Sequence, residues 1–340
     1  MLSDKYQSIA IDAMGGDNSP DKVIEGCKIF LDSYDNVKLI LFGNSSKINL
    51  DFIKKYNDSI NFIHCEEIIL DEDRPSSILR SKKESSMRKA LEYVKQNPHV
   101  GFVSAGNTGA VTALSKIILG TLENIKRPAF CSMIPTYRGF SVMLDLGANK
   151  ESNENHLLQF SIMGHAFAKI NKIENPKIAI LNIGTEETKG KEFLGEASDL
   201  INNSFLKDHF IGFIEPDHIT SGIADVIVTD GFTGNISLKT AEGFSKFITS
   251  NFKSIFNKNF LNNIAYLILK NDLKKFSERI NPTNYNGAMV LGLNSVVVKS
   301  HGNAGPVAFA QALKNCAEFL KNDINKLIIN ELKQVNFINE

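Results

Sequence analysis

Five stretches place glycine and small polar side chains directly behind apolar runs: "DAMGGD" (12–17), "SAGNTGA" (104–110), "DLGAN" (145–149), "NIGTEETKG" (182–190) and "VTDGFTGN" (228–235). Such turns expose backbone N–H groups. Where a helix follows, its N-terminus adds partial positive charge, so the pattern suits phosphate or another anion. The candidate contacts are Asp12, Gly15, Gly16 and Asp17 in the first turn and Ser104, Gly106, Asn107 and Thr108 in the second. Asn149, then Asn182, Gly184 and Thr185, then Thr233 and Asn235 are offered by the other three. Taken singly, each glycine could simply shape a tight strand-to-helix turn. Five polar turns together are more than connection geometry requires, and they read as walls of one site.

Three side chains could do chemistry there. Lys189 is a mobile point charge able to hold a phosphate or offset a developing oxyanion, although an exposed loop lysine is the plainer reading. Asp230 could orient that lysine, accept a proton, or cap a helix. His301, in "VVVKSHGN", could bind an anion, protonate a leaving group, or be structural. Neither G-x-x-x-x-G-K-[ST] nor a G-x-G-x-x-G after the first strand is present, which argues against ATP and dinucleotides. No G-x-S-x-G elbow occurs, so direct transfer between bound substrates fits better than a covalent enzyme intermediate.

The elements that must position these groups alternate. Short β-branched runs at 8–13, 37–43, 99–105, 140–147, 177–184 and 225–231 are mostly followed by helix-compatible segments such as 110–119, 156–170 and 236–247. Near-continuous apolar runs are the mark of strands buried on both faces, so the chain is predicted to be α/β, with a mainly parallel sheet flanked by helices. Ligands of such sheets bind at the carboxyl ends of strands, where the polar turns fall. No repeat or proline-rich linker marks a boundary, and the 340 residues are expected to form one α/β unit, or two lobes of one.

Composition narrows the partners. The 38 basic and 38 acidic residues cancel, so no overall field recruits nucleic acid. Four scattered cysteines lack metal-ligand spacing; reduced thiols, no metal and no cofactor are expected. The N-terminus has no secretory pattern and no run approaches the roughly 20 apolar residues of a membrane span, predicting a cytoplasmic protein. A basic stretch from 74 to 95 carries Arg74, Arg80, Lys82, Lys83 and Arg88, a docking surface for an acidic partner or a solvated helix face. Residues 251–276 combine phenylalanine, isoleucine and leucine at helical spacing with lysines, which suits a protruding helical segment meeting a second subunit or an anionic membrane.

As a set, "AIDAMGGDNSP", "SAGNTGA", "RPA", "DLGAN", "QFSIMGH", "LNIGTEETKG", "VTDGFTGNISLKTAEG" and "NYNGAMVLGLNSVVVKSHG" resemble, in order, the PlsX-type phosphate acyltransferases of bacterial phospholipid synthesis. The resemblance runs from Ile9 to about Ala317. It implies transfer of a fatty acyl group from the thioester of acyl carrier protein to inorganic phosphate, giving acyl phosphate for the next acyltransferase. It also implies a fold akin to phosphotransacetylases and the isopropylmalate dehydrogenase group, a homodimer, and peripheral contact with the inner face of the cell membrane. Ser19, Lys150 and Glu151 depart from the family pattern. A nicotinamide dehydrogenase on a related fold and a non-catalytic membrane scaffold are the competing readings.

Overall fold

A computed structural model describes residues 7–335 apart from 71, 74, 187 and 281–286. The chain opens with strand β1 (Gln7–Asp12), helix α1 (Asp21–Leu31), β2 (Val37–Gly43), α2 (Leu50–Lys55) and β3 (Ile60–His64). Helices α3 (Pro75–Ser81) and α4 (Ser86–Gln96) precede β4 (Val100–Ser104), α5 (Thr108–Leu119), β5 (Ala129–Thr136) and β6 (Gly139–Leu144). Then come α6 (Glu154–Ile170), β7 (Ile178–Leu181), α7 (Glu192–Asn202), β8 (Phe210–Ile214) and β9 (Val226–Val228). Two long helices, α8 (Gly231–Phe256) and α9 (Phe260–Ile280), lead to β10 (Ala288–Leu291), β11 (Val297–Lys299), α10 (Pro306–Lys321) and α11 (Ile324–Leu332).

All eleven strands join one sheet in the order β3-β2-β1-β4-β11-β10-β5-β6-β9-β7-β8. Strands β3, β2, β1, β4 and β11 are mutually parallel, and so are β6, β9, β7 and β8. Between them β10 and β5 pair antiparallel with both neighbours, so the two parallel halves run in opposite directions. The expected α/β class and mainly parallel sheet are thus present, with an antiparallel seam at β10 and β5. That seam was not legible as such, because β10 and β11 are only four and three residues long.

Alternation assigns each strand residue to a layer. Ile9 and Ile11 of β1, with Leu39 and Leu41 of β2, pack on the face covered by α1, α6, α7, α10 and α11. Ala10, Ile40 and Phe42 point the other way, onto α3, α4 and α5. Burying each such large apolar side chain contributes roughly 1.5–3 kcal/mol. Helix α8 stands apart: of its 26 residues the buried ones are Gly231 and Gly234. Its distal half pairs with α9 through ring contacts of Phe252 with Phe276 at 6.0 Å and of Phe256 with Tyr266 at 5.6 Å. The segment 251–276 lies within this helical pair, whose outer surface exposes Phe260, Leu261, Leu267 and Ile268. Among the described residues, no helix is long and apolar enough to cross a membrane.

Candidate active site

Parallel register brings three turns together. Asp12, at the end of β1, is aligned with Ser104 of β4, and Ser104 with Lys299 of β11. The Asp12 carboxylate is buried and accepts hydrogen bonds from Ser86 Oγ at 2.6 Å, Ser104 Oγ at 2.7 Å and Met14 N–H at 3.2 Å. Burial pushes its pKa above the usual carboxylate value, and these hydrogen bonds oppose that shift. The turn after β1 then meets the turn after β4 so closely that a Cβ on Gly15 would stand 2.5 Å from Gly106 N. Only glycine permits this approach. Asp17 N–H donates to Gly302 O at 3.0 Å, which adds the turn after β11.

Cations sit among these backbone carbonyls. The buried Lys22 ammonium donates to Gly302 O. The Lys299 ammonium, also buried, donates to Ser300 O and to Ala105 O at 3.3 Å. Helix α5 begins here, with Asn107 as N-cap accepting from Ala110 N–H at 2.9 Å. Helix N-terminus and buried ammonium together make this corner suited to an anion.

A second group of turns is built on Asp145, just past β6. Its buried carboxylate accepts five hydrogen bonds: from the N–H groups of Phe130, Gly147, Ala148 and Asn149, and from Asn149 Nδ2. Burial again raises its pKa against those hydrogen bonds. The first turn of α8 lies on this loop, and a Cβ on Gly234 would collide with the Asp145 carbonyl oxygen. Asp230 is the N-cap of α8, accepting from Thr233 N–H at 3.0 Å and Thr233 Oγ1 at 2.7 Å.

Helix α8 joins the two groups. Near its start Asn235 lies over the Gly147 turn, where a Cβ on that glycine would stand 3.3 Å from it, and two turns on, Glu242 contacts His301 in the other group. Between the groups lies a cavity of about 870 Å³. Gly106, Asn107, Thr108, Lys299 and His301 line it together with Asn235 and Glu242, and β5, α8 and Phe276 supply an apolar wall.

Comparisons with known proteins address what such an arrangement serves. The family model described as "Fatty acid synthesis protein" matches residues 7–327. A phosphate acyltransferase of Ehrlichia chaffeensis is 47% identical over 338 residues, covering 96% of this chain and 98% of that relative. The chain belongs to the phosphate acyltransferase family. A second phosphate acyltransferase, of Rhodospirillum rubrum, is 40% identical across 96% of this chain and 95% of its own length. Membership makes the protein an enzyme of the transferase class, as the motifs had implied. Solved structures of a phosphotransacetylase from Streptococcus pyogenes (TM-score 0.62, 16% identity, 94% and 95% coverage) and a branched-chain phosphotransacylase from Enterococcus faecalis (TM-score 0.58, 14% identity, 92% and 99% coverage) share the fold.

In this chain the candidate residues separate. Gly106, Asn107, Thr108, Asn235 and His301 line the cavity, while Asp12 and Ser104 lie beneath it, joining turns. Gly15 and Gly16 form the contact between turns, and Asp17 is exposed beside them. Asn149, Asp230 and Thr233 belong to the second group. Asn182 is buried and donates to Lys189 O at 2.8 Å, shaping the loop that carries Gly184, Thr185 and Lys189. Lys189 pairs with Glu186 at 3.5 Å, and it is Lys191 that stands 3.7 Å from Asp230. Of the basic stretch, Arg80 and Lys83 are exposed; Lys82 lies 3.9 Å from Asp73 and Arg88 2.9 Å from Glu92. Arg74 lies outside the described residues. Residues that the sequence analysis did not single out are Lys22, Ser86, Glu242 and Lys299. Glu242 and Lys299 nevertheless lie inside its motifs, in "VTDGFTGNISLKTAEG" and "VVVKSHGN", and that is the signal they carried.

Proposed function

We propose that the protein transfers a fatty acyl group from the thioester of acyl carrier protein to inorganic phosphate. The observation that carries this reading is one cavity with an anion-suited corner at α5 and Lys299 and an apolar wall on α8 and β5. Phosphate binds at the corner, held by N–H groups of the α5 N-terminus, Asn107 and Thr108, with Lys299 as countercharge. The acyl carbonyl lies above it. A phosphate oxygen attacks the carbonyl carbon, the tetrahedral intermediate collapses with cleavage of the C–S bond, and the carrier thiolate departs and takes up a proton. Positioning of the two reactants supplies much of the rate.

His301, held by Glu242, is the group suited to deliver or receive that proton. Lys189 enters as a mobile cation for the oxyanion, since its ion pair with Glu186 is exposed to solvent and readily exchanged. Asp230 sets the start of α8 and, through Lys191, the loop that carries Lys189. Arg80, Lys82, Lys83 and Arg88 form the face on which the acidic carrier docks. The α8–α9 pair contacts a second subunit or the inner face of the membrane, where acyl phosphate passes to the next acyltransferase.

The test mixes the protein with long-chain acyl carrier protein and inorganic phosphate. Free carrier thiol and hydroxylamine-trappable acyl phosphate should form in equal amounts, and only with phosphate. Neither product across several chain lengths would remove this reaction.

A further inference from the structure

The wall of the cavity along α8 includes Asn235, Leu238, Glu242, Ser245 and Ile248, spaced three or four residues apart on one helical face, with Lys239, Ala241 and Phe244 beside them. At 1.5 Å per residue the stretch from Asn235 to Ile248 extends about 20 Å. Its charged members, Lys239 and Glu242, lie no further than its middle, Ser245 follows three residues on, and Ile248 is one turn short of Phe252. There Phe276 of α9 completes the lining, held edge-on against the Phe252 ring at 6.0 Å. Met133 and Ile134 of β5 also line the cavity, with Ser132 and Thr136 of the same strand.

We propose that the acyl chain lies extended along this face of α8 and that Ile248 and Phe276 set its preferred length. The inference rests on the reaction proposed above and adds to it the residues that measure the chain. Length is compatible: the hydrocarbon core of a bilayer, two leaflets thick, is about 30 Å, so one membrane-length chain needs about 15 Å. Chemistry is compatible as well. A charged or carbonyl head meets Lys299, Asn107 and His301, and the tail meets the apolar side chains of Leu238, Ile248 and Phe276. Phe276 belongs to α9 and Ile248 to α8, so the end of the chain site is formed by the helical pair itself.

Two variants and one label test this. Values of kcat/KM are measured with carrier protein bearing acyl chains of increasing length. Ile248→Trp should lower kcat/KM for the longest chains about tenfold or more while sparing the shortest, as expected when a filled apolar pocket loses room. Phe276→Ala should move the optimum to longer chains. Equal losses at every length in both variants, with unchanged thermal melting, would overturn the assignment. Independently, a fatty acid with a diazirine at its methyl end is photolysed with the wild-type protein and the adduct mapped by mass spectrometry. Adducts on Ser245, Ile248 or Phe276 support the chain site, and adducts elsewhere overturn it. Because labelling needs no turnover, adducts there in a protein that forms no acyl phosphate would sink the reaction and keep the site; acyl phosphate with adducts elsewhere would do the reverse.

Discussion

Glu242 Oε1 stands 3.1 Å from His301 Nε2, joining α8 to the turn that follows β11. The other carboxylate oxygen accepts from Lys239 Nζ at 2.9 Å. Fifty-nine residues of chain separate Glu242 from His301, and the contact closes a cavity that would otherwise be two separate sets of turns. It also fixes the imidazole, leaving its orientation to be set by a carboxylate on a helix that exposes most of its surface.

The hydrogen bond from His301, then Lys239, holds the Glu242 carboxyl down at about 2 from its ordinary 4.5. A depressed carboxyl stabilises the folded state above its unfolded pKa and loses that contribution as the pH falls toward the folded value. Glu242→Gln should therefore cost about 1 kcal/mol at pH 6. The gap to wild type should narrow steadily between pH 4.5 and pH 3 in urea melts; a constant gap would show that the charge is not what holds the contact.

Two glycines of α8 should respond in opposite ways to alanine. At Gly234 the new Cβ meets the Asp145 carbonyl, a rigid backbone atom, and Gly234→Ala should destabilise by about 1–3 kcal/mol and lower activity. At Gly243 nothing lies within 4 Å, so Gly243→Ala should stabilise by about 0.5–1 kcal/mol through helix propensity. Thermal melts of the two variants side by side check this.

Removing the buried ammonium with Lys299→Met should raise KM for phosphate and lower kcat/KM roughly 100-fold, the scale of losing one preorganised charge-stabilising group. Lys189→Ala should act mainly on kcat. Full activity of Lys189→Ala in a folded protein would remove that lysine from the scheme.

Charge reversal at exposed positions of α3 and the loop after it, Arg80→Glu with Lys83→Glu, should raise KM for acyl carrier protein about tenfold. The defect should shrink at high salt and vanish with a short acyl thioester that lacks the carrier protein. A defect equal for both donors would place the carrier elsewhere.

Leu267→Glu with Ile268→Glu, on the outer face of α9, should abolish co-sedimentation with vesicles rich in anionic lipid while turnover of water-soluble donors persists. Loss of the dimer in place of loss of vesicle binding, measured by light scattering, would assign that face to the second subunit.

Much of the fold was readable because its signals are local. β2 occupies 37–43 as the run "VKLILFG" predicts, since a strand buried on both faces needs apolar residues at every position but few. Asp230 capping α8 through Thr233, three residues on, is equally local. Helix α8 runs unbroken from Gly231 to Phe256, joining the 236–247 stretch to the start of the 251–276 helical segment that the sequence suggests separately, because its polar face is partnered by solvent and its apolar face lines the cavity and meets α9.

By itself, then, the amino-acid order determined the α/β class, six of the strand positions, the polar turns and the family to which the chain belongs. Tertiary structure decided which turns meet. Asp12 and Ser86 are 74 residues apart and Lys22 and Gly302 are 280 apart, so no spacing rule connects them. The same holds for the loop lysines: Lys189 and Lys191 are equivalent in a sequence, and the path of the backbone past Asn182 sends the second, not the first, toward Asp230. Partners of this kind are chosen by sheet register and helix packing, which are long-range sums over many weak apolar contacts, whereas strands, caps and turns are set by the few residues that form them.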